Sequence, residues 1–445
     1  MNELDVAQTV KRAAYGIYLD PFHLVRPDHA WYADIEAKLP RRHYSVAQRV
    51  KSPFQTRSDF VHLGVVGHQG TGKTTLVRQA MSELRDIGIL SVYVDALEVL
   101  DPLDFSFSDV VLVITEAVVS KVVQQDPNLH LDPTLLKSVH GWFAEEIVSE
   151  EHREELVGEI ESEAGAGLDV PFIAKLLTRI KGTLRSSNDY RVEIRRRAGR
   201  DPAELLRRVN QLLDGIHAAL ADRKQKLCVV FDNLEKVRPR ETVERAVLQR
   251  TNDLRQLRCH AVYFLAPADQ YAPGAVQADQ ALLIVQIPVL PVRFFGDPWT
   301  IVRSEAVDAV QLLLSKRIDL NALFETPREC VEAMVRWSGG RLRDVIDLAR
   351  IACEFADIDQ SKVTLIHVDE AAVKLAGSRL VAMRPESWAR AVQIFNSKTV
   401  DNREADGHML LHALVLAYDG RPWWDVHPLL KEDPRFSAAM KPATP

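Results

Sequence analysis

The sequence predicts an α/β fold built on a parallel sheet that helices cover on both faces. Four short apolar runs, Ile89 to Val94, Leu227 to Phe231, Ala261 to Leu265 and Leu282 to Ile287, have the length and continuity of strands buried on both sides. Helix-patterned stretches separate most of them, the alternation that produces parallel pairing. A further apolar run ends at Val66, turns through a glycine-rich stretch, and enters a helical pattern at Leu76, Val77, Ala80 and Leu84.

Composition agrees with a folded, many-layered chain. The 445 residues are 47% hydrophobic and 27% charged, enough to bury a substantial core in two or three compact parts. The 56 basic and 62 acidic residues leave −6, which excludes a non-specific nucleic-acid coat. Cys228, Cys259, Cys330 and Cys353 form no C-x-x-C pair, so they read as small apolar residues in a reducing compartment. Residues 1–20 lack the continuous apolar core of a signal peptide, and the longest apolar runs, such as Val110 to Ile114, are far shorter than the roughly 20 residues that span a bilayer. A soluble, cytoplasmic protein with no membrane partner is expected.

The glycine-rich stretch is Gly67-His68-Gln69-Gly70-Thr71-Gly72-Lys73-Thr74-Thr75, which contains G-x-x-x-x-G-K-T between a strand and a helix. This is a P-loop. Gly67 and Gly72 let the backbone bend around a polyphosphate, so that loop amides and the following helix N-terminus point at its oxygens. Lys73 would reach the β- and γ-phosphates, and the Thr74 hydroxyl would ligate Mg²⁺. All nine residues are candidate nucleotide contacts, with the His68 side chain expected to point outward. No guanine-reading N-K-x-D stretch stands out, so ATP is the expected nucleotide.

Downstream, charge is unevenly spread. Glu145 to Glu163 holds nine glutamates against one arginine, Arg153, whereas Lys175 to Arg208 holds eleven Lys/Arg against four acids. Gly165 to Gly167 makes a joint between them. Solvated, mutually paired helix faces explain this pattern, and so does a basic arm that meets a partner. Asp201-Pro202-Ala203-Glu204 has the form of a helix start, and Leu205, Val209, Leu212, Leu213, Ile216 and Leu220 continue it at helical spacing.

That helix leads into Leu227-Cys228-Val229-Val230-Phe231-Asp232, an apolar strand ending in an acid. Asp232 is the candidate second magnesium anchor beside Thr74. Glu235 is the candidate that orients the attacking water. Many ATPases place this glutamate directly after the aspartate, where Asn233 stands here. A surface ion pair of Glu235 with Lys236 or Arg238 is the alternative.

Together with Ser338-Gly339-Gly340-Arg341-Leu342-Arg343-Asp344, these motifs resemble the AAA+ and STAND-like ATPases of initiator type, and more closely uncharacterised bacterial ATP-binding proteins of that superfamily. The resemblance runs over roughly residues 61–355. It implies that the double glycine opens a lid helix whose Arg343 touches the phosphates, although Arg343 with Asp347 would also make an ordinary i,i+4 helical pair. It implies a polar sensor residue at the end of the fourth strand, which Val262 to Ala268 does not supply before Asp269, so slow or partner-dependent hydrolysis is expected. It implies an arginine finger from a neighbouring subunit, with Arg250, Arg255, Arg258 and Arg293 as candidates.

Beyond the lid, Leu410 to Tyr418, a turn at Asp419-Gly420 and a return strand at Trp423 to Val426 predict a hairpin. A winged-helix module would contain one, but residues 401–433 carry few basic side chains, so packing or partner docking is favoured over DNA binding. Trp423, Trp424, His427 and Pro428 read as core or interface residues. The expected division is an N-terminal segment packing on the core (1–60), a P-loop NTPase core (61–290) with a helical insertion at about 118–200, a helical lid (291–375) and a small C-terminal domain (376–445).

The function that follows is an ATP-binding, ATP-hydrolysing switch that oligomerises or engages a protein partner; a setting in antiviral defence is an implication of the resemblance. Two alternatives stand beside it. One is a DNA-associated ATPase of initiator or transposition-regulator type, and the other a nucleotide-gated scaffold with little hydrolysis.

Overall fold

The computed structural model describes residues 6–20, 28–39, 46–127, 129–148, 169–185, 189–272, 274–401, 404–418 and 423–440. Five strands, β1 (His62–Val66), β2 (Ile89–Asp95), β3 (Lys226–Asp232), β4 (His260–Leu265) and β5 (Leu283–Gln286), form one sheet in the order β2-β3-β4-β1-β5, with every pair parallel. The apolar runs alternate across it. Cys228, Val230, Val262 and Phe264 face one layer; Val229, Phe231, Ala261 and Tyr263 face the other. Continuous apolar strands are the consequence of this two-sided burial. The chain has the α/β P-loop NTPase fold.

The first layer consists of the helices Val46–Thr56 (α2) and Lys73–Arg85 (α3), the second buried through Leu76, Val77, Ala80, Met81 and Leu84. The N-terminal segment divides. The short helix Val10–Tyr15 (α1), with Leu19, Ile35 and Leu39, shares an apolar core with helices that follow the sheet, whereas α2 shares the core of the sheet.

The second layer is the long connection between β2 and β3. It holds Phe107–Gln125 (α4), Pro133–Gly141 (α5), Val170–Arg185 (α6), Asp189–Arg200 (α7) and Pro202–Ala219 (α8), which share one apolar core with the sheet. Val110 to Ile114, strand-sized in sequence, lies in the middle of α4 and is buried all round. An insertion counted from about 118 therefore begins inside a helix that starts at Phe107. Asp201 caps α8 by accepting the Glu204 amide at 3.0 Å, with Pro202 in its first turn.

Part of the basic stretch is paired within the molecule, while Lys175, Arg185, Arg196, Arg200 and Arg207 are exposed. Arg191 reaches Asp101 at 2.5 Å, Arg195 reaches Asp104 at 2.5 Å and the buried Asp109 at 2.6 Å, and Lys181 reaches Glu116 at 2.6 Å. Arg207 and Arg208 bond Glu204 within their own helix. Most of the acidic segment, residues 149–163, and the glycine joint lie outside the described residues; the partners seen are acids of the β2–α4 connection, of α4 and of the basic stretch's own helices.

The stretch expected as the lid, called so below, holds Ser304–Ser315 (α9), Pro327–Ser338 (α10), Leu342–Ile358 (α11) and Leu365–Leu380 (α12). The C-terminal part adds Ser387–Ser397 (α13), Glu404–Leu411 (α14) and the antiparallel hairpin β6 (Val415–Tyr418) with β7 (Trp423–Val426). The hairpin's turn at Asp419-Gly420 lies outside the described residues, but its strands are buried against the body. Val289 donates to Ala417 at 3.0 Å, and Tyr418 stacks on Trp423 with ring centroids 4.4 Å apart. All four cysteines are buried and free. Among the described residues, no helix is long and apolar enough to cross a membrane.

Candidate nucleotide site

The P-loop occupies the C-terminal end of β1, where parallel strands leave a crevice. Gly70 and Gly72 have φ of +81° and +87°, the left-handed region that glycine adopts without strain. Gly67 is required for space instead: a Cβ there would stand 2.6 Å from the Ile287 carbonyl oxygen. The turn aims α3 with Lys73 as its first residue.

Lys73 is buried and three-coordinate. Its ammonium donates to the Gly67 and His68 carbonyls, both at 2.8 Å, and lies 3.2 Å from Glu235 Oε1. Burial lowers its pKa against the opposing pull of Glu235. Glu235 is buried as well, and its Oε2 has no hydrogen-bond partner among the described residues. The alternative of a surface pair with Lys236 or Arg238 does not form, because the Arg238 guanidinium bonds the Glu235 main-chain carbonyl at 3.0 Å while the carboxylate turns inward.

Thr74 donates its hydroxyl to Asp232 Oδ1 at 3.4 Å, although β3 is not the neighbour of β1; β4 runs between them. Burial, reinforced by Glu235, pushes the Asp232 carboxyl up to about 6. Two neighbouring carboxylates beside a hydroxyl suit a hard divalent cation with oxygen ligands. Asn233 adopts φ +64° and donates to Asp95 Oδ2 at 2.6 Å, so the side chain in the usual glutamate position is tied back to β2.

These groups line a cavity of about 640 Å³ together with Gly70, Gly72, Thr75, Asp95 and Arg343. Arg343 enters at the start of α11: its amide donates to the Gly70 carbonyl at 3.0 Å, and its side chain lies against that glycine so closely that a Cβ on Gly70 would collide with it. Asp347 lies 3.6 Å from Arg350, and its charge also favours the Arg343 guanidinium against burial, so the i,i+4 alternative stays open. Gln69 donates to the Glu235 carbonyl at 3.3 Å, and its own carbonyl accepts Arg341 Nε at 2.7 Å.

Sequence reasoning missed the far wall. Trp31, Tyr32, Ala33 and Ile35 of the N-terminal segment line the same cavity with Leu313, Arg317 and Ile346 of the lid. Tyr32 hydrogen-bonds Gln79 of α3, and the Arg317 guanidinium lies 5.7 Å from the Trp31 ring centre. No motif marks these residues; they come from two distant stretches that only folding brings together.

Other expectations are redirected. His68 does not point outward but is buried, with both ring nitrogens bonded to the backbone of the C-terminal part. Arg293 is buried and ion-paired with Asp425, so it cannot reach into a neighbouring subunit. Arg250 pairs with Asp253 and lies over Phe107, and Arg258 pairs with Asp214 at the end of the sheet opposite the P-loop. Asp269 is consumed by Arg240 and by the Ala266 amide at 2.7 Å, so the end of β4 presents no polar side chain to the cavity.

Comparison with solved structures finds similarity to the Aeropyrum pernix Orc1 protein, solved in complex with DNA (14% identity, 99% of this chain and 100% of that one, TM-score 0.40). Similar figures hold for Cdc6p from Pyrobaculum aerophilum (10%, 95% and 97%, TM-score 0.40) and the Walker-type ATPase paby2304 of Pyrococcus abyssi (12%, 93% and 98%, TM-score 0.44). No curated protein matches the chain. Residues 46–262, just under half of the chain, match the family described as AAA ATPase domain. The segment that carries the P-loop, Asp232 and Glu235 is thus the part of the chain that is similar to an AAA ATPase domain.

Proposed function

We propose that this protein is an ATP-driven switch: it binds ATP with Mg²⁺, hydrolyses the γ-phosphate bond, and passes the result to its lid and C-terminal part, and through them to a protein partner or a second copy. The observation that carries this reading is the buried Lys73–Glu235 pair at the floor of a cavity that also holds Thr74, Asp232 and Arg343. Breaking such a pair is costly unless another charge replaces the one removed. A phosphate supplies that replacement. Lys73 moves its charge to the phosphate oxygens, and Glu235 becomes free to accept a hydrogen bond from water.

Thr74 and Asp232 would hold Mg²⁺, which would neutralise phosphate charge as it develops. The loop amides from Gly67 to Thr75 and the N-terminus of α3 would cradle the polyphosphate. The apolar wall of Trp31, Ile35, Leu313 and Ile346 gives the base a flat, dry surface. Arg343, fixed to Gly70 by its backbone, would bring the lid helix over the phosphates and register their loss on hydrolysis. Pairing of Arg191, Arg195 and Lys181 with acids of the same chain and burial of the hairpin strands favour a protein partner over DNA.

Phosphate release by wild type, Lys73→Ala and Glu235→Gln tests the reading. Lys73→Ala is expected to abolish binding and release. Glu235→Gln is expected to bind ATP at least as well as wild type, because Lys73 is no longer held, and to release phosphate about 10²–10³-fold more slowly. Equal release by wild type and Glu235→Gln would remove Glu235 from the chemistry.

A further inference from the structure

Residue 68 faces two ways. Its carbonyl accepts the Lys73 ammonium at 2.8 Å and the Thr71 hydroxyl at 3.0 Å, so its main chain belongs to the phosphate cradle. Its ring points into the C-terminal part, where the Ala417 amide donates to Nε2 at 3.1 Å and Nδ1 lies 3.1 Å from the Leu410 carbonyl. An N–H can be received only by an unprotonated Nε2, so Nδ1 carries the proton and donates to Leu410. Burial pushes the imidazole down to about 3, which keeps this neutral tautomer in place at physiological pH.

The next two loop residues continue the pattern. Gln69 gives its carbonyl to Arg341 and Gly70 gives its carbonyl to the Arg343 amide, so three consecutive residues of the P-loop are tied to the lid turn or to the C-terminal part. Those two are themselves locked together: the Tyr418 hydroxyl donates to the Gly339 carbonyl at 2.7 Å, and His427 Nε2 lies 2.9 Å from the buried Asp344. A Cβ on Gly339 would collide with Leu416 and Pro428.

We propose that His68 is a positioning residue that couples occupancy of the phosphate loop to the seating of the β6–β7 hairpin; the proposal rests on the nucleotide reading above. When a triphosphate takes the Lys73 ammonium, the His68 carbonyl keeps the Thr71 hydroxyl but loses its charged donor, and the backbone there adjusts. A ring held at both nitrogens carries that adjustment to Leu410 and Ala417, two points of the C-terminal part. Linkage then requires the reverse effect: a loosened hairpin changes nucleotide affinity by the factor by which nucleotide changes hairpin seating.

The test uses the full chain, a fluorescent ATP analogue with Mg²⁺, and amide hydrogen exchange across residues 414–418. His68→Ala is expected to weaken analogue binding about tenfold, the equivalent of one or two ordinary hydrogen bonds. His68→Gln, whose amide donates and accepts at similar reach, is expected to restore most of it. In wild type the analogue should change exchange at Ala417 and its neighbours, and in His68→Ala that response should vanish.

Analogue affinity unaltered in His68→Ala, or hairpin exchange indifferent to nucleotide in wild type, overturns the coupling while leaving ATP binding intact. Failure of wild type to bind the analogue any better than Lys73→Ala overturns the nucleotide reading and the coupling with it. If His68→Ala does not fold, the His68→Gln affinity and the wild-type exchange response decide the matter.

Discussion

Asp232 shows how one buried group sets a pH response. Its carboxyl stands at about 6 in the folded chain against 3.8 ordinarily, because burial and Glu235 both disfavour the anion. The folded state therefore holds its proton where the unfolded chain has released it, and the stability this provides at low pH is lost as pH rises from about 4 through about 6. Asp232→Asn removes that loss. Without Mg²⁺ and nucleotide it should be more stable than wild type at about pH 8, by about 1–3 kcal/mol in denaturant titration, and equal to it at about pH 4. With Mg²⁺ and ATP the order should reverse, since only the wild type gains the bound ligands' stabilisation. A variant no more stable at the higher pH would show that the anion is already compensated. At this scale the P-loop and Asp232 were legible in the sequence, because each is a contiguous string whose spacing the chemistry demands. The inward turn of Glu235 and of His68 was not, because the partners, Lys73, Leu410 and Ala417, are set by packing across 162 to 349 positions of chain.

Among the elements, the strands were the most readable part, since two-sided burial demands continuous apolar runs and leaves them bounded by polar turns. α4 was the hardest, because a helix buried all round shows no polar face and its Val110 to Ile114 run has no distinguishing period. The arginines of α7 were ambiguous for a different reason: their acids, Asp101, Asp104 and Asp109, lie about 90 residues upstream. Asp109 is buried, so removing Arg195 leaves an anion without its counter-charge. Arg195→Met is expected to destabilise the protein by about 3–5 kcal/mol, and Asp109→Asn with Arg195→Met by less than the single change, as a double-mutant cycle in urea would show. Additive effects would mean that the two groups act separately. The cap of α8 gives a smaller expectation: Asp201→Ala should cost about 1 kcal/mol in the same titration.

At the scale of the whole molecule, the lid meets the P-loop through Arg341 and Arg343 and the C-terminal part meets it through Leu410 and Ala417 on His68, so loading the site should stiffen the assembly. Saturating ATP analogue at about a hundred times its Kd should raise unfolding stability by about 2.7 kcal/mol, and Arg343→Ala should reduce the affinity that produces it. A thermal shift of equal size in Arg343→Ala at the same analogue concentration would show that the lid arginine does not read the phosphates. The nature of the core and the place of the phosphate loop followed from the sequence because both rest on local rules: strand burial, glycine geometry and the spacing of Lys73 and Thr74 within one turn. The far wall of the cavity, the Lys73–Glu235 pair and the anchoring of His68 emerged from the folded chain alone. They join residues 31–35, 68–73, 235, 313–346 and 410–417. Such groupings depend on how layers pack, and packing energy has no signature at any single position of the chain.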